Sequence, residues 1–142
     1  MVFRATDMSR VARSVMSCAC LFPTRGISSE LLLRLFSEEQ WLMANQLERS
    51  GWLRFDGYSC LWSLHPVVKA VCMAEKSTQI NWGNTGSFIT ALRKAQKTGV
   101  FEDAGPESLA QITELFANIG KYNLHKPFPW KQTCTVFFLL QQ

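Results

Sequence analysis

The sequence predicts a mainly α-helical fold with one small β-hairpin, on three observations. Apolar residues recur at helical spacing, as in Leu109, Ile112, Phe116 and Ile119, which stacks them on one face of a helix. Between Trp52 and Leu64 the chain instead alternates around Asp56-Gly57, a pair suited to a tight hairpin turn. Prolines and glycines punctuate these segments at Pro23, Gly26, Gly51, Pro66 and Pro106.

A first helix is expected from about Asp7 to Leu21, because Val11, Val15, Cys18 and Phe22 share one face while Arg10 and Arg13 stay in solvent. Phe22 to Ile27 then reads as a connector. A short second helix starts at Ser28 or Ser29, either of which can cap it, and runs through Leu31, Leu32, Leu35 and Phe36. Ser37 caps a third, and Gln40 three residues on completes a capping box, with Glu38 and Glu39 at the positive helix end. Ser50-Gly51 stops it.

For the hairpin, a two-residue turn at Asp56-Gly57 pairs Phe55 with Tyr58. That register places Leu53, Phe55, Tyr58, Cys60, Trp62 and Leu64 on one apolar face and Trp52, Arg54, Ser59, Leu61 and Ser63 on the other. His65-Pro66 opens the next helix, with the proline where its missing N–H costs nothing and Val67, Val68, Val71 and Cys72 as its apolar stripe. Two further helices hold Phe88, Leu92 and Ala95, and then Leu109 to Ile119 after Pro106. Past Tyr122 the helical period is lost. Pro127 and Pro129 bracket Phe128, and Thr133 to Leu140 is open to three readings: an extra strand, an edge packed on the hairpin, or sequence foreign to the domain.

Three helices, a hairpin and a following helix form a winged helix-turn-helix, here followed by an α-helical hairpin. The expected organisation is a winged-helix domain over residues 1–77, a helical extension over 78–124 and a tail over 125–142.

Composition sets limits on function. With 47% hydrophobic and 18% charged residues in 142, the chain can bury an unaided core. Its net charge of +4 is spread from Arg4 to Lys131, and the densest cationic group, Arg93, Lys94 and Lys97, reads as a solvated helix face. Five cysteines without a Cys-x-x-Cys pair suggest neither a disulfide framework nor a zinc site; they read as small buried residues in a reducing compartment. Asp7, Arg10 and Arg13 break the apolar run that a processing site at Cys18 would need, and no run reaches the ~20 apolar residues of a membrane span.

The familiar use of a winged helix is reading DNA through its third helix. Here that helix carries Glu38, Glu39 and Glu48 against Arg49, and the wing adds only Arg54 beside Asp56. Carboxylates facing a polyanion cost affinity, so DNA is disfavoured as a partner.

The segments Leu21-Phe22-Pro23, Gly26 to Leu32, Leu47 to Leu53 and Tyr58 to Val68 resemble, in order and spacing, the winged-helix domain of STAND-class signalling NTPases, the NB-ARC and NLR-like proteins. The similarity covers about residues 8–76, and residues 79–122 look like the start of the tetratricopeptide-type sensor that commonly follows. The resemblance implies a domain that packs on a nucleotide-binding domain and helps hold an ADP-bound resting state. It also implies that His65, matching the histidine of the Met-His-Asp motif, touches the nucleotide's β-phosphate. Pro66 stands where the motif's Asp would be, which removes that residue's polar contacts. Within this chain alone, His65 is expected simply to cap its helix or to pack under the wing.

No Gly-x-x-x-x-Gly-Lys-Ser/Thr loop cradles phosphates, and neither His65 nor His125 has a nucleophile or paired carboxylate at motif spacing. His125 reads as an exposed loop residue. The expectation is therefore a non-enzymatic, cytoplasmic regulatory module with no catalytic or metal site and no cofactor of its own. ADP or ATP enters only if the chain is joined to a nucleotide-binding domain. Its partner would be that domain or a helical-repeat region, with self-association through exposed apolar surface and no membrane. The alternative is a stand-alone winged-helix transcription regulator dimerising through the helices after residue 79.

Overall fold

The computed structural model describes residues 8–122 and 124. Its elements are α1 (Arg10–Ala19), β1 (Ile27–Ser28), α2 (Ser29–Leu35), α3 (Glu38–Arg49), β2 (Arg54–Asp56), β3 (Leu61–Ser63), α4 (Pro66–Ala74), a 3-10 turn (Lys76–Thr78), α5 (Trp82–Lys97) and α6 (Pro106–Lys121). The fold is mainly α with a small antiparallel sheet, in the element order of a winged helix. The tail expected over 125–142, with His125 and Cys134, lies outside the described residues. Among the described residues no helix is long and apolar enough to cross a membrane.

Local chemistry sets the helix starts. Ser9 caps α1 by accepting from the Ala12 N–H, Ser28 caps α2 through Leu31, and Asn81 caps α5 through Asn84. The capping box of α3 forms as the sequence predicts: Ser37 Oγ accepts from the Gln40 N–H and Gln40 Oε1 accepts from the Ser37 N–H. α1 is shorter than the expected span of about Asp7 to Leu21: Ser9 caps it and it ends at Ala19. Gly51, at φ 86°, takes the left-handed conformation that ends α3.

α1 is the centre of the molecule. Ala12 and every residue from Val15 to Ala19 are buried, since α3 and α5 both pack on it. Its buried hydroxyl Ser17 is satisfied by donating to the Gln79 carbonyl at 2.8 Å, and Ser14 donates to the Asn84 carbonyl at 2.7 Å. Buried polar groups need such partners, because an unmade hydrogen bond costs about 1–3 kcal/mol.

The sheet has the order β1-β3-β2. β1, where the sequence predicts the end of a connector at Ile27 and a helix cap at Ser28, pairs Ile27 with Trp62 and Ser28 with Leu61. The wing's register corrects the two-residue turn: Phe55 faces Trp62, and Asp56 faces Leu61, which leaves a four-residue loop, Gly57 to Cys60. The turn is closed by the Asp56 carbonyl accepting from Cys60 N–H at 2.8 Å. The Asp56 carboxylate accepts from Tyr58 N–H at 3.0 Å and from the Ser59 hydroxyl at 2.9 Å. Cys60 completes the turn at φ 57°. Moving Phe55's partner from Tyr58 to Trp62 is an even shift, so the side chains keep their faces.

Trp62 is buried and its ring lies 5.4 Å from that of Trp41 and 5.1 Å from that of Phe55, while its indole N–H donates to Ser29 Oγ at 2.8 Å. Tyr58 and Cys60, expected on the apolar face, sit in the turn and are exposed; Trp52, expected on the polar face, is buried. It follows the Gly51 turn, where its N–H and that of Leu53 both return to the Leu47 carbonyl.

α5 closes the core. The rings of Phe22, Phe36 and Phe88 stand 5.6 to 6.5 Å apart, each such pair adding about 0.5–1.5 kcal/mol beyond its area. Residues on both sides of the expected 77/78 boundary thus share one core. α6 buries Ile112, Leu115 and Ile119, whereas Leu109 is 46% exposed, so its apolar stripe is rotated from the predicted one. A polar stripe on the same helix fixes it to residues 21–28. Gln111 Oε1 accepts from Ser28 N–H, the Glu114 carboxylate accepts from Thr24 N–H and Oγ, and Asn118 donates to the Leu21 carbonyl.

Candidate interaction surface

His65 is the N-cap of α4. Because Pro66 has no N–H, the first free amide of the helix belongs to Val67, and it donates to His65 Nδ1 at 3.1 Å. An accepting ring nitrogen carries no proton, so Nε2 holds the hydrogen of the neutral ring and remains a donor. His65 is exposed.

Beside it runs an open groove of about 490 Å³ lined by Gly51, Arg54, His65, Val67, Val68 and Val71. Of the stripe expected on α4, Val68 and Cys72 are buried in the core, Val71 is half-buried and Val67 is 64% exposed. Sequence reasoning placed Val67 in the core stripe and gave Arg54 no role beyond the wing. Their proximity depends on the chain reversing twice, at Gly51 and again in the wing, which no local pattern encodes.

The exposed stripe of α3 consists of Glu39, Leu42, Gln46 and Arg49, with Glu38 beside it. Leu42 is 57% exposed and Tyr58, at the wing tip, is fully exposed. A smaller groove of about 230 Å³, between α2 and the connection from α5 to α6, carries Glu30, Arg34 and Asp103, charges of both signs.

Cys18, Cys20 and Cys72 are buried, as the sequence suggests, whereas Cys60 is exposed. Burial pushes the Cys18 thiol far above its usual range. The Cys20 thiol is raised first by its hydrogen bond with Cys72 and then by burial. A thiol held protonated in this way is a poor nucleophile. Arg93 departs from the solvated face assigned to it. It lies 5.9 Å over the Trp82 ring, and its Nε and Nη2 are buried without hydrogen-bond partners among the described residues. Desolvation accordingly lowers its affinity for the proton. Gly86 makes room for this stack, since a Cβ there would meet the Trp82 ring at 2.8 Å.

Among the described residues no group of three His, Cys, Asp or Glu side chains is placed to hold a metal ion. Comparison with protein-family models, with curated proteins and with solved structures finds no match for this chain.

Proposed function

We propose that the chain is a non-catalytic regulatory module: the winged-helix and early sensor segment of a STAND-type signalling NTPase, which packs on a nucleotide-binding domain outside this chain. The observation that carries the reading is the make-up of the surface a DNA-reading winged helix would turn to the duplex. On α3 that surface offers Glu38, Glu39 and an exposed leucine, Leu42, and at the wing tip an exposed tyrosine, Tyr58. Apolar groups among carboxylates suit a protein partner and repel phosphates. A cytoplasmic location accompanies this reading, since buried free thiols persist in a reducing compartment. Joined to a nucleotide-binding domain, His65 would offer its Nε2–H, at a helix N-terminus, to a phosphate of ADP or ATP.

The alternative, a DNA-binding regulator, draws support from Gln46 and Arg49 on the exposed stripe of α3. Two measurements on the purified chain separate the readings. Sedimentation velocity should show self-association that Leu42→Glu reduces, and titration with random duplex DNA at low salt should stay flat. A clean monomer together with DNA binding that weakens steeply with salt overturns the module reading.

A further inference from the structure

We infer that the groove between the wing and α4 receives an apolar protein segment bearing a carboxylate. The inference rests on the interaction-module reading above and specifies the chemistry of the partner.

The floor and the rim ask for different things. Val67, Val68 and Val71 make the floor, and Val67, 64% exposed, leaves apolar surface in water that an aliphatic or aromatic side chain would cover. The rim carries two hydrogen-bond donors. Arg54 is exposed on β2 opposite Ser63, and among the described residues its guanidinium has no carboxylate partner. His65 spends Nδ1 on the cap of α4, so Nε2–H is its remaining polar group. Among the described residues no Asp or Glu lines the groove.

A guanidinium fork beside a strip of valines matches a segment with an aliphatic or aromatic anchor and a neighbouring Asp or Glu, the carboxylate accepting from Arg54 in bidentate fashion. A nucleic acid shares the negative charge but not the apolar anchor. It would also meet Asp56 in the wing and the three glutamates of α3.

The test is selection from a random 12-residue phage-display library on the full chain, with counter-selection on Val67→Asp. Both Val67 and Arg54 are exposed, so Val67→Asp and Arg54→Glu should fold, which their melting curves check. Expected are enriched sequences that pair Leu, Ile or Phe with Asp or Glu. A synthetic peptide of the enriched sequence should bind at least tenfold more weakly to Arg54→Glu, and replacing its acid by Lys should restore binding to that variant. The inference fails if the enriched peptides lack acids, if Lys replacement leaves wild-type affinity unchanged, or if nothing is enriched. It also fails if Val67→Asp converts a dimer to a monomer, because the occupant is then a second copy. Failure here with self-association through Leu42 intact leaves the module reading standing, whereas salt-dependent DNA binding removes both.

Discussion

Gln40 on α3 donates through Nε2 to Ser14 Oγ on α1 at 3.2 Å, and the same nitrogen reaches Ser87 Oγ on α5 at 3.3 Å. Its carbonyl oxygen meanwhile completes the capping box with Ser37. One buried amide therefore starts a helix and ties three helices together. Ser37→Ala should cost about 1 kcal/mol, the usual loss for a missing cap. Gln40→Ala should cost about 2–3 kcal/mol, because it also strands the partners of a buried amide. Urea denaturation of the two variants measures the difference, and equal losses would mean the link between helices contributes nothing.

Gly26 opens β1 at φ +103°, and a Cβ there would meet the Trp62 carbonyl oxygen at 2.7 Å. Backbone strain and a contact with main chain that cannot yield combine at this position. Gly26→Ala should lower stability by about 3 kcal/mol, read as a drop in the urea midpoint at constant slope.

Cys60 holds φ 57° in the wing turn and is exposed. A left-handed conformation costs an ordinary residue about 1–2 kcal/mol, and glycine returns part of that gain as unfolded-state entropy. Cys60→Gly should therefore stabilise by about 0.5 kcal/mol, and Cys60→Val should destabilise by about 1 kcal/mol. Thermal melts in the presence of reductant decide the order.

The Tyr58 backbone N–H and the Ser59 hydroxyl hold the Asp56 carboxyl below its ordinary value. A carboxyl whose folded-state value is depressed adds stability that is complete above the unfolded value, about 3.9, and is lost as the pH falls through the folded value. The wing turn should thus loosen only at distinctly acid pH. In NMR titration the Tyr58 amide should shift with a midpoint below that of a free aspartate. In Asp56→Asn the shift should vanish, and a midpoint at the ordinary value would show that these hydrogen bonds do not form in solution.

His65→Ala should destabilise by about 1 kcal/mol through loss of the α4 cap, and His65→Ser or His65→Asn should recover most of it. Calorimetry of the three variants checks this. Equal stability of wild type and His65→Ala would separate the histidine from any capping role.

The starts of α2, α3, α4 and α6 were legible because each is set within four residues: Ser28, Ser37, Pro66 and Pro106 stand where caps or first-turn prolines belong, whereas the caps of α1 and α5, Ser9 and Asn81, were not read. The sheet was legible only in part. A two-residue strand such as Ile27–Ser28 is too short to show alternation, and the wing's loop length depends on the Asp56 carboxylate and on Cys60 entering the left-handed region. Along α6, Leu109 and Leu115 both fit a helical period, and only the position of residues 21–28 decides that Leu115 turns inward. For the candidate site, the cap at His65 was readable from its place before Pro66. The groove was not, because Arg54 and Val67 belong to different elements.

The contact of Phe88 with Phe22 and Phe36 has a consequence for how such a chain can be recombined. A breakpoint after residue 77 would strip α5 from the ring pair it covers and leave three phenylalanines facing water across two fragments. Each piece alone should precipitate or fold loosely, and mixing them should restore a soluble species. The winged helix and the helices behind it would then be inherited, exchanged or lost together, as one cassette.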